Sequence, residues 1–232
     1  MNNPLIKNLH IHVKEDFATI SGIAIKEIFL IILVIASALF TISLNAATLA
    51  TTITSGIIGL IVVLIISYYP NTAKYFAPLY AILEGAFLAN CSLMLEVMYP
   101  GIVIQAVILT FCAALITAFI YSRHIILIND TFKKIVMILL LSLLACYVIE
   151  IIASLVFGFQ FITLNTGIIG ILIDIGILVL ALACLLIDYN EIDKAVYNNQ
   201  DKSTEWYYAF SLLVTLVWLY IRILDLLSAI KD

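Results

Sequence analysis

Charged residues are scarce in this sequence. Only 11% of its 232 residues are Asp, Glu, Lys or Arg, and 11 basic residues stand against 15 acidic ones, giving a formal net charge of −4. A nucleic-acid-binding surface needs a clustered excess of lysine and arginine, and the sequence contains no basic stripe of that kind. The composition therefore argues against nucleic acid as a partner.

Cysteine is also rare, and the spacing of the cysteines matches no disulfide or metal-binding motif. The four cysteines, Cys91, Cys112, Cys146 and Cys184, each lie within an apolar segment, and none belongs to a CxxC pair. This spacing fits neither a disulfide framework nor a zinc site, so we interpret the cysteines as small packing residues.

The sequence motifs of the main intramembrane and soluble hydrolases are missing. No HExxH pair, GxSxG elbow, GxGD motif or phosphate-binding glycine loop occurs. The three histidines, His10, His12 and His124, lie outside the apolar runs. We therefore expect no enzymatic activity, no cofactor and no certain metal site.

Apolar residues, in contrast, make up 65% of the chain, where a soluble domain has about half. Seven continuous apolar runs approach the ~20 residues that a helix needs to cross a bilayer, and lipid admits only helices or closed barrels. These runs are 25–44, 53–69, 76–98, 102–121, 135–157, 166–188 and 206–228. The sequence predicts an all-α integral membrane protein, with an N-terminal tail over 1–24 and one seven-transmembrane domain over 25–232.

The orientation follows from the basic residues near the ends of the runs. Nine lysines and arginines fall in the N-terminal tail or in the loops after spans two, four and six, whereas the loops after spans one, three and five contain none. The nine are Lys7, Lys14, Lys26, Lys74, Arg123, Lys133, Lys134, Lys194 and Lys202. Because basic loops stay in the cytoplasm, we expect a cytoplasmic N-terminus and an external C-terminus.

Small residues recur every four positions on the third span. Ala77, Ala81, Gly85 and Ala89 form a small-xxx-small stripe, which lets helix backbones approach closely in a membrane. Close helix packing explains this stripe without any further function.

Among the ionisable residues within the apolar runs, six are candidates for a function, since an ionisable group at membrane depth costs at least ~2.5–3.5 kcal/mol and usually faces a cavity or a partner. They are Glu84, Glu150, Asp174, Asp188, Arg222 and Asp225. At ~1.5 Å of rise per residue they fall into two tiers. The inner tier contains Glu84 and Asp188, with Asp188 at the end of the sixth span; the outer tier contains the other four.

The two tiers suggest different roles. Arg222 and Asp225 are three residues apart, so they can form an ion pair that locks the outer tier. Carboxylates that line a narrow cavity can instead bind a hard cation such as calcium while they are ionised, and release it when protonated. The alternative for any of these acids is a structural role, as a hydrogen-bonded or neutralised group in the bundle.

Four sequence motifs are specific when they are taken together. They are LYAILEGAFL at 79–88, YPGIVIQAV at 99–107, LIDYN at 186–190 and EWYYAFSLLVTLVWLY at 205–220. Together they resemble the Bax inhibitor-1 family, and in particular its bacterial YccA-like branch. The resemblance covers most of 70–230. It implies a bundle whose last helix is surrounded by the other six, and a pH-sensitive calcium leak through a bacterial inner membrane.

The resemblance also implies a site. Family members that leak calcium use two aspartates, and Asp188 matches the one at the end of the sixth helix. The second position holds Thr215 or Arg222, depending on the alignment, and neither is an acid. Asp188 therefore needs another partner, for which Glu84 or Thr215 is the candidate. We predict Asp188, Glu84, Asp174, Thr215 and Glu150 as ion-pathway or pH-sensing residues.

Two functions remain open at this stage. The first is a passive, pH-modulated leak for calcium or another cation. The second is a non-conducting regulator that binds a membrane protease or another membrane protein, with Lys133, Lys134 and the charged segment 189–205 as docking elements. In either case the lipid bilayer is the immediate partner of the chain.

Overall fold

The computed structural model describes residues 17–157 and 167–231, and this part of the chain folds into seven long helices. They are α1 (Ile20–Ser43), α2 (Leu49–Tyr68), α3 (Ala73–Met98), α4 (Ile102–Ser122), α5 (Asp130–Phe157), α6 (Ile168–Tyr197) and α7 (Glu205–Lys231). All seven are long and apolar enough to cross a membrane. The predicted seven-helix, all-α membrane bundle is therefore confirmed.

Since each helix crosses the bilayer, successive helices run in opposite directions. The end of the bundle at which α1, α3, α5 and α7 begin is called the proximal end below, and the other the distal end. The helix α1 begins at Ile20, five residues before the boundary expected at 25, because Thr19 caps it: the Thr19 hydroxyl accepts a hydrogen bond from the Gly22 N–H at 3.0 Å. Residues 1–16 of the expected tail lie outside the described residues.

The helix α6 extends well beyond the apolar run that predicted it. It ends at Tyr197, so Asp188 lies nine residues, or about 14 Å, inside the proximal end of the helix. The placement of Asp188 at the end of this helix is wrong, and so is the loop expected over 189–197. The polar residues of this last part are stabilised by neighbours: Asp193 accepts a hydrogen bond from the Tyr121 hydroxyl at 2.6 Å, and Glu191 pairs with Lys133.

The last helix lies in the core, as expected, but four helices rather than six surround it closely. The helix α7 packs mainly against α1, α3, α4 and α6, whereas α2 packs chiefly on α3 and α5 chiefly on α6. Its Leu213, Leu219 and Leu224 are at most 2% exposed. A polar residue of α7 at this depth must therefore find its partner on a neighbouring helix.

The tightest crossing joins α1 and α3 at the stripe of small residues. A Cβ atom on Gly85 would overlap the Val34 carbonyl oxygen, so the two backbones approach as closely as glycine allows. The Ser37 hydroxyl donates a hydrogen bond to the Ile82 carbonyl oxygen at 2.6 Å across the same crossing. The stripe therefore serves the close packing that the sequence indicated.

The helix α5 lies at the edge of the bundle. Val136 and Ala153 are its buried residues among those whose side chains the structure describes, and large apolar side chains such as Leu141 and Ile149 point outward. Its proximal end is fixed to α6 by the ion pair between Lys133 and Glu191. Most of the α5 surface therefore faces lipid.

Candidate functional site

Asp188 is the centre of a polar cluster between α6 and α7. Its Oδ1 atom accepts a hydrogen bond from the Ser211 hydroxyl at 2.9 Å, and its Oδ2 atom accepts one from the Thr215 hydroxyl at 2.6 Å. Ser211 and Thr215 are four residues apart on α7, so their side chains lie one above the other on the face toward α6. Of the two partners considered for Asp188, Glu84 and Thr215, it is therefore Thr215 that contacts the aspartate.

A second acid reaches this cluster from α1. The carboxyl group of Glu27 interacts electrostatically with Asp188, and both act on the Tyr189 side chain. Glu27 is half-buried, seven residues into α1. Glu27 was not among the predicted site residues, and it adds a second acid, from the first helix, to the surroundings of Asp188.

The charges around these two acids are mainly negative. Asp188 also interacts with Glu191 on its own helix, and the Cys184 thiol lies one helical turn before it. In the described parts of the chain, no lysine or arginine forms an ion pair with Asp188 or Glu27; Lys26, the neighbour of Glu27, pairs with Glu205. The cluster, here the proximal cluster of Glu27, Asp188, Ser211 and Thr215, therefore offers oxygen atoms and negative charge to a cation.

The arrangement suits transient binding better than a permanent metal site. Carboxylate and hydroxyl oxygens are the ligands of hard cations such as calcium, and affinity rises with the number of charged ligands. Within 17–157 and 167–231, no group of three or more His, Cys, Asp or Glu side chains is placed to hold a metal ion. Two carboxyl groups are fewer charged ligands than a tight calcium site uses.

Glu84, the other inner-tier acid, occupies a different interface. Its carboxyl group is hydrogen-bonded to the Tyr80 hydroxyl one turn earlier on α3. A Cβ atom on Gly59 of α2 would lie 3.9 Å from Glu84 Oε2, so the acid faces α2. The Tyr80 ring packs edge-on against Phe210 of α7, with 5.2 Å between ring centroids. Thus the predicted inner tier is divided between two helix interfaces, and Glu84 is not among the hydrogen-bonding partners of Asp188.

The outer-tier residues do meet, at the distal end. Arg222 Nη2 lies 3.0 Å from Asp225 Oδ2, and Arg222 Nη1 donates to the Tyr147 hydroxyl of α5 at 3.3 Å. Asp174 interacts electrostatically with Asp225, and Glu150 with Tyr147. In this distal cluster a guanidinium group is therefore in place to neutralise the acids, although its role as a lock stays a prediction.

The proximal end contains a buried ion pair that the sequence reading missed. Glu205, the first residue of α7, is fully buried; its Oε1 accepts hydrogen bonds from the Thr19 N–H at 2.9 Å and the Thr19 hydroxyl at 3.1 Å, and its Oε2 pairs with Lys26. The Lys26 ammonium group also lies 5.5 Å from the centre of the Trp206 ring. The starts of α1 and α7 are thereby joined.

One of the missed residues, Glu27, had a signal in the sequence. A first span that begins at 25 puts Glu27 at the membrane surface, whereas the capping residue Thr19 signals an earlier start, which places this acid two turns inside the helix. Glu205 stands at the first position of a helix, where acids are ordinarily explained by the helix dipole. Ser211 and Tyr147 carried no such signal, because a hydroxyl in a membrane helix can bond to its own backbone.

Comparison with known proteins gives one finding. The sequence profile of a protein family described as "Bax inhibitor 1 like" matches residues 3–232, nearly the whole chain. No curated protein and no solved structure shows a significant match.

Proposed function

Since this chain belongs to the Bax inhibitor 1 like family, we propose that it is a passive cation leak, with calcium as the transported ion and the proximal cluster as the narrow part of its path. The proposal has no catalytic step and requires no cofactor. The observation that carries it is the Asp188 carboxylate, which lies inside the bundle and accepts hydrogen bonds from two hydroxyls of α7. Glu27 of α1 adds a second negative charge that interacts with it, and no lysine or arginine among the described residues pairs with either acid.

Passage through this cluster exchanges one set of oxygen atoms for another. A cation that enters the cluster loses part of its hydration shell and gains carboxylate and hydroxyl oxygens. The Ser211 and Thr215 hydroxyls can rotate, so that they donate to Asp188 when the site is empty and present their lone pairs when an ion is bound. Two carboxylates supply enough negative charge to attract a divalent ion.

Acid is expected to close the path. Protonation of Asp188 or Glu27 removes one negative charge from the cluster, which weakens cation binding, so flux should fall as the pH falls. The groups that face Asp188 are Glu27 from α1, two neutral hydroxyls from α7, and Cys184, Tyr189 and Glu191 on its own helix. The acids among them are therefore the candidates for a pH response.

We further propose that the proximal end faces the cytoplasm of a bacterial cell and that the bundle lies in its inner membrane. The basic residues Lys74, Arg123, Lys133 and Lys194 all lie near the proximal ends of their helices, where the positive-inside rule places the cytoplasm. Reporter fusions after Tyr69 and after Tyr99 should report opposite sides of the membrane.

The decisive test is calcium flux into dye-loaded proteoliposomes between pH 5 and pH 8. Replacing Asp188 with asparagine keeps the size of the side chain and removes its charge, so flux at pH 8 should fall by about tenfold or more, the scale on which one unit charge alters ion binding. The matched control is Asp193→Asn, an acid five residues further along α6 that bonds to Tyr121 instead. Equal flux in wild type and Asp188→Asn would refute the proposal.

A second function, regulation of a membrane-protein partner without conduction, is favoured by α5. This helix packs chiefly on α6 and leaves most of its apolar surface outside the bundle, where a helix of another protein could dock. A wild-type protein that passes no calcium at any pH would support the regulator, and photo-crosslinking from Leu141 and Ile149 would then identify the class of partner.

A further inference from the structure

The segments before α1 and α7 meet at the proximal end, although they are almost 190 residues apart in sequence. Phe17 and Asp201 form an isolated antiparallel bridge, and the Ala18 N–H donates to the Gln200 carbonyl oxygen at 2.8 Å. The contacts of Glu205 with Thr19 and Lys26 follow directly. Backbone pairing and a buried ion pair thus fasten the start of α1 to the start of α7.

The first turn of α1 is built around the Glu205 carboxylate. A Cβ atom on Gly22 would overlap Oε1, Oε2 and Cδ of Glu205, so this position has room only for glycine while the carboxylate stays in place. A glycine ordinarily makes a helix less stable than an alanine does. The close approach of Glu205 is a physical reason for its presence here.

Lys26 and Glu27 connect this contact with the proximal cluster, because Lys26 pairs with Glu205 and Glu27 belongs to the cluster. As neighbours on a helix they point about 100° apart. With Lys26 bound to Glu205, the start of α1 is held against α7, and the next residue, Glu27, interacts electrostatically with Asp188 of α6. Release of Lys26 would leave this end of α1 without its charged contact to α7.

We propose that Glu205 is a positioning residue of the leak: it anchors α1 on α7, holds Glu27 beside Asp188 and keeps the proximal end of the path closed. The inference rests on the proposed function for its meaning, but its geometry can be tested without ion flux. Glu205 itself does not line the proximal cluster; it acts through Lys26 and the first two turns of α1.

Cys184 provides the reporter. This thiol lies one turn from Asp188 on α6 and is half-buried, so a water-soluble, positively charged thiol reagent should reach it slowly while the proximal end is closed. With Cys91, Cys112 and Cys146 replaced by serine, Cys184 is the single labelling site, and its rate is measured in proteoliposomes by mass spectrometry.

Two variants should disrupt the contact between Glu205 and the start of α1, one by steric overlap and the other by loss of charge. Gly22→Ala pushes the carboxylate away sterically without changing any charge, and Glu205→Gln removes the charge that holds Lys26. Both should label Cys184 several-fold faster than the single-cysteine parent and flatten the pH profile of calcium flux. The control Gly176→Ala adds the same methyl group to α6, where no heavy atom of the described residues lies within 4 Å, and should label at the parent rate.

A double variant tests the contact itself. In Gly22→Ala/Glu205→Asp the shorter acid makes room for the added methyl group, so labelling should return toward the parent rate. Should Gly22→Ala fail to fold, Lys26→Gln replaces it, because it removes the cationic partner and leaves the helix backbone unchanged.

The outcomes separate the two proposals. Parent-like labelling in folded Gly22→Ala and in Glu205→Gln would overturn the anchor, whatever the flux. Faster labelling of both variants, with no calcium flux in any protein including wild type, would confirm the anchor's geometry and overturn the cation leak. Faster labelling with a flattened flux profile supports both.

Discussion

The proximal and distal clusters are made from the same kinds of residue but differ in their balance of charge. The distal cluster combines Asp174, Asp225 and Tyr147 with the guanidinium group of Arg222. The proximal cluster combines Asp188 and Glu27 with hydroxyl groups, while the nearby ammonium group of Lys26 is bound to Glu205. The comparison suggests that acids inside a membrane bundle are structural where a base accompanies them and functional where the base is held elsewhere.

The largest effect on stability should come from the base of the distal cluster. Arg222→Met leaves Asp225 and Asp174 without a cation, and loss of one partner from a buried pair costs several kcal/mol; with Asp225 partly exposed we expect about 2 kcal/mol. Chemical denaturation in detergent micelles measures the difference. The double variant Arg222→Met/Asp225→Asn should recover most of it, and an equal loss in both variants would show that the ion pair is not the cause.

Removal of a charge from the proximal cluster, in contrast, should reduce calcium flux without lowering the stability of the protein. Glu27→Gln removes one of two like charges, so the folded protein should be as stable as wild type or slightly more so, whereas calcium flux at pH 8 should fall about fivefold because a ligand charge is lost. A fall in stability as large as that of Arg222→Met would mean that the proximal acids are structural, and the comparison between the clusters would fail.

The smallest effects should come from removing single hydroxyl groups. Thr215→Val deletes a hydrogen bond of 2.6 Å to the carboxylate of Asp188, whose other oxygen keeps its bond from Ser211, so we expect a loss of about 1.5 kcal/mol, the lower end of the range for a bond to a charged group. Tyr147→Phe deletes a longer bond of 3.3 Å to Arg222 and should cost less than about 1 kcal/mol. Thr215→Val should reduce both calcium flux and stability more than Tyr147→Phe does. The reverse order would contradict the hydrogen-bond geometry.

Sequence reasoning found the acids more reliably than their partners. Asp188, Asp174 and Asp225 stand out because a charge in an apolar run is costly wherever the helix places it. Glu84 was grouped with Asp188 by depth alone, and the structure separates them, since depth along a helix does not say which neighbour a side chain faces. Glu27 is not marked by depth either, because it lies only two residues inside a span that is expected to begin at 25, while the helix begins at Ile20.

The resemblance to a known family also left one question that only geometry could answer. The position of the second aspartate contains Thr215 or Arg222, depending on the alignment. Because the Thr215 hydroxyl lies on Asp188 while Arg222 pairs with Asp225 at the other end of α7, Thr215 is the residue at the site. The other acid that interacts with Asp188, Glu27, lies on α1, and a comparison along α7 alone cannot reveal it.

The sequence by itself determined the solvent of this protein and its architecture, since runs of about 20 apolar residues can only be helices in a bilayer. It also determined which residues would be costly at depth. The tertiary structure alone decided which of these meet: that Glu27 interacts with Asp188, that Lys26 pairs with Glu205, and that Arg222 pairs with Asp225. Apolar packing against lipid fixes a helix in the membrane but not its rotation, and the rotation of each helix decides which charges come together.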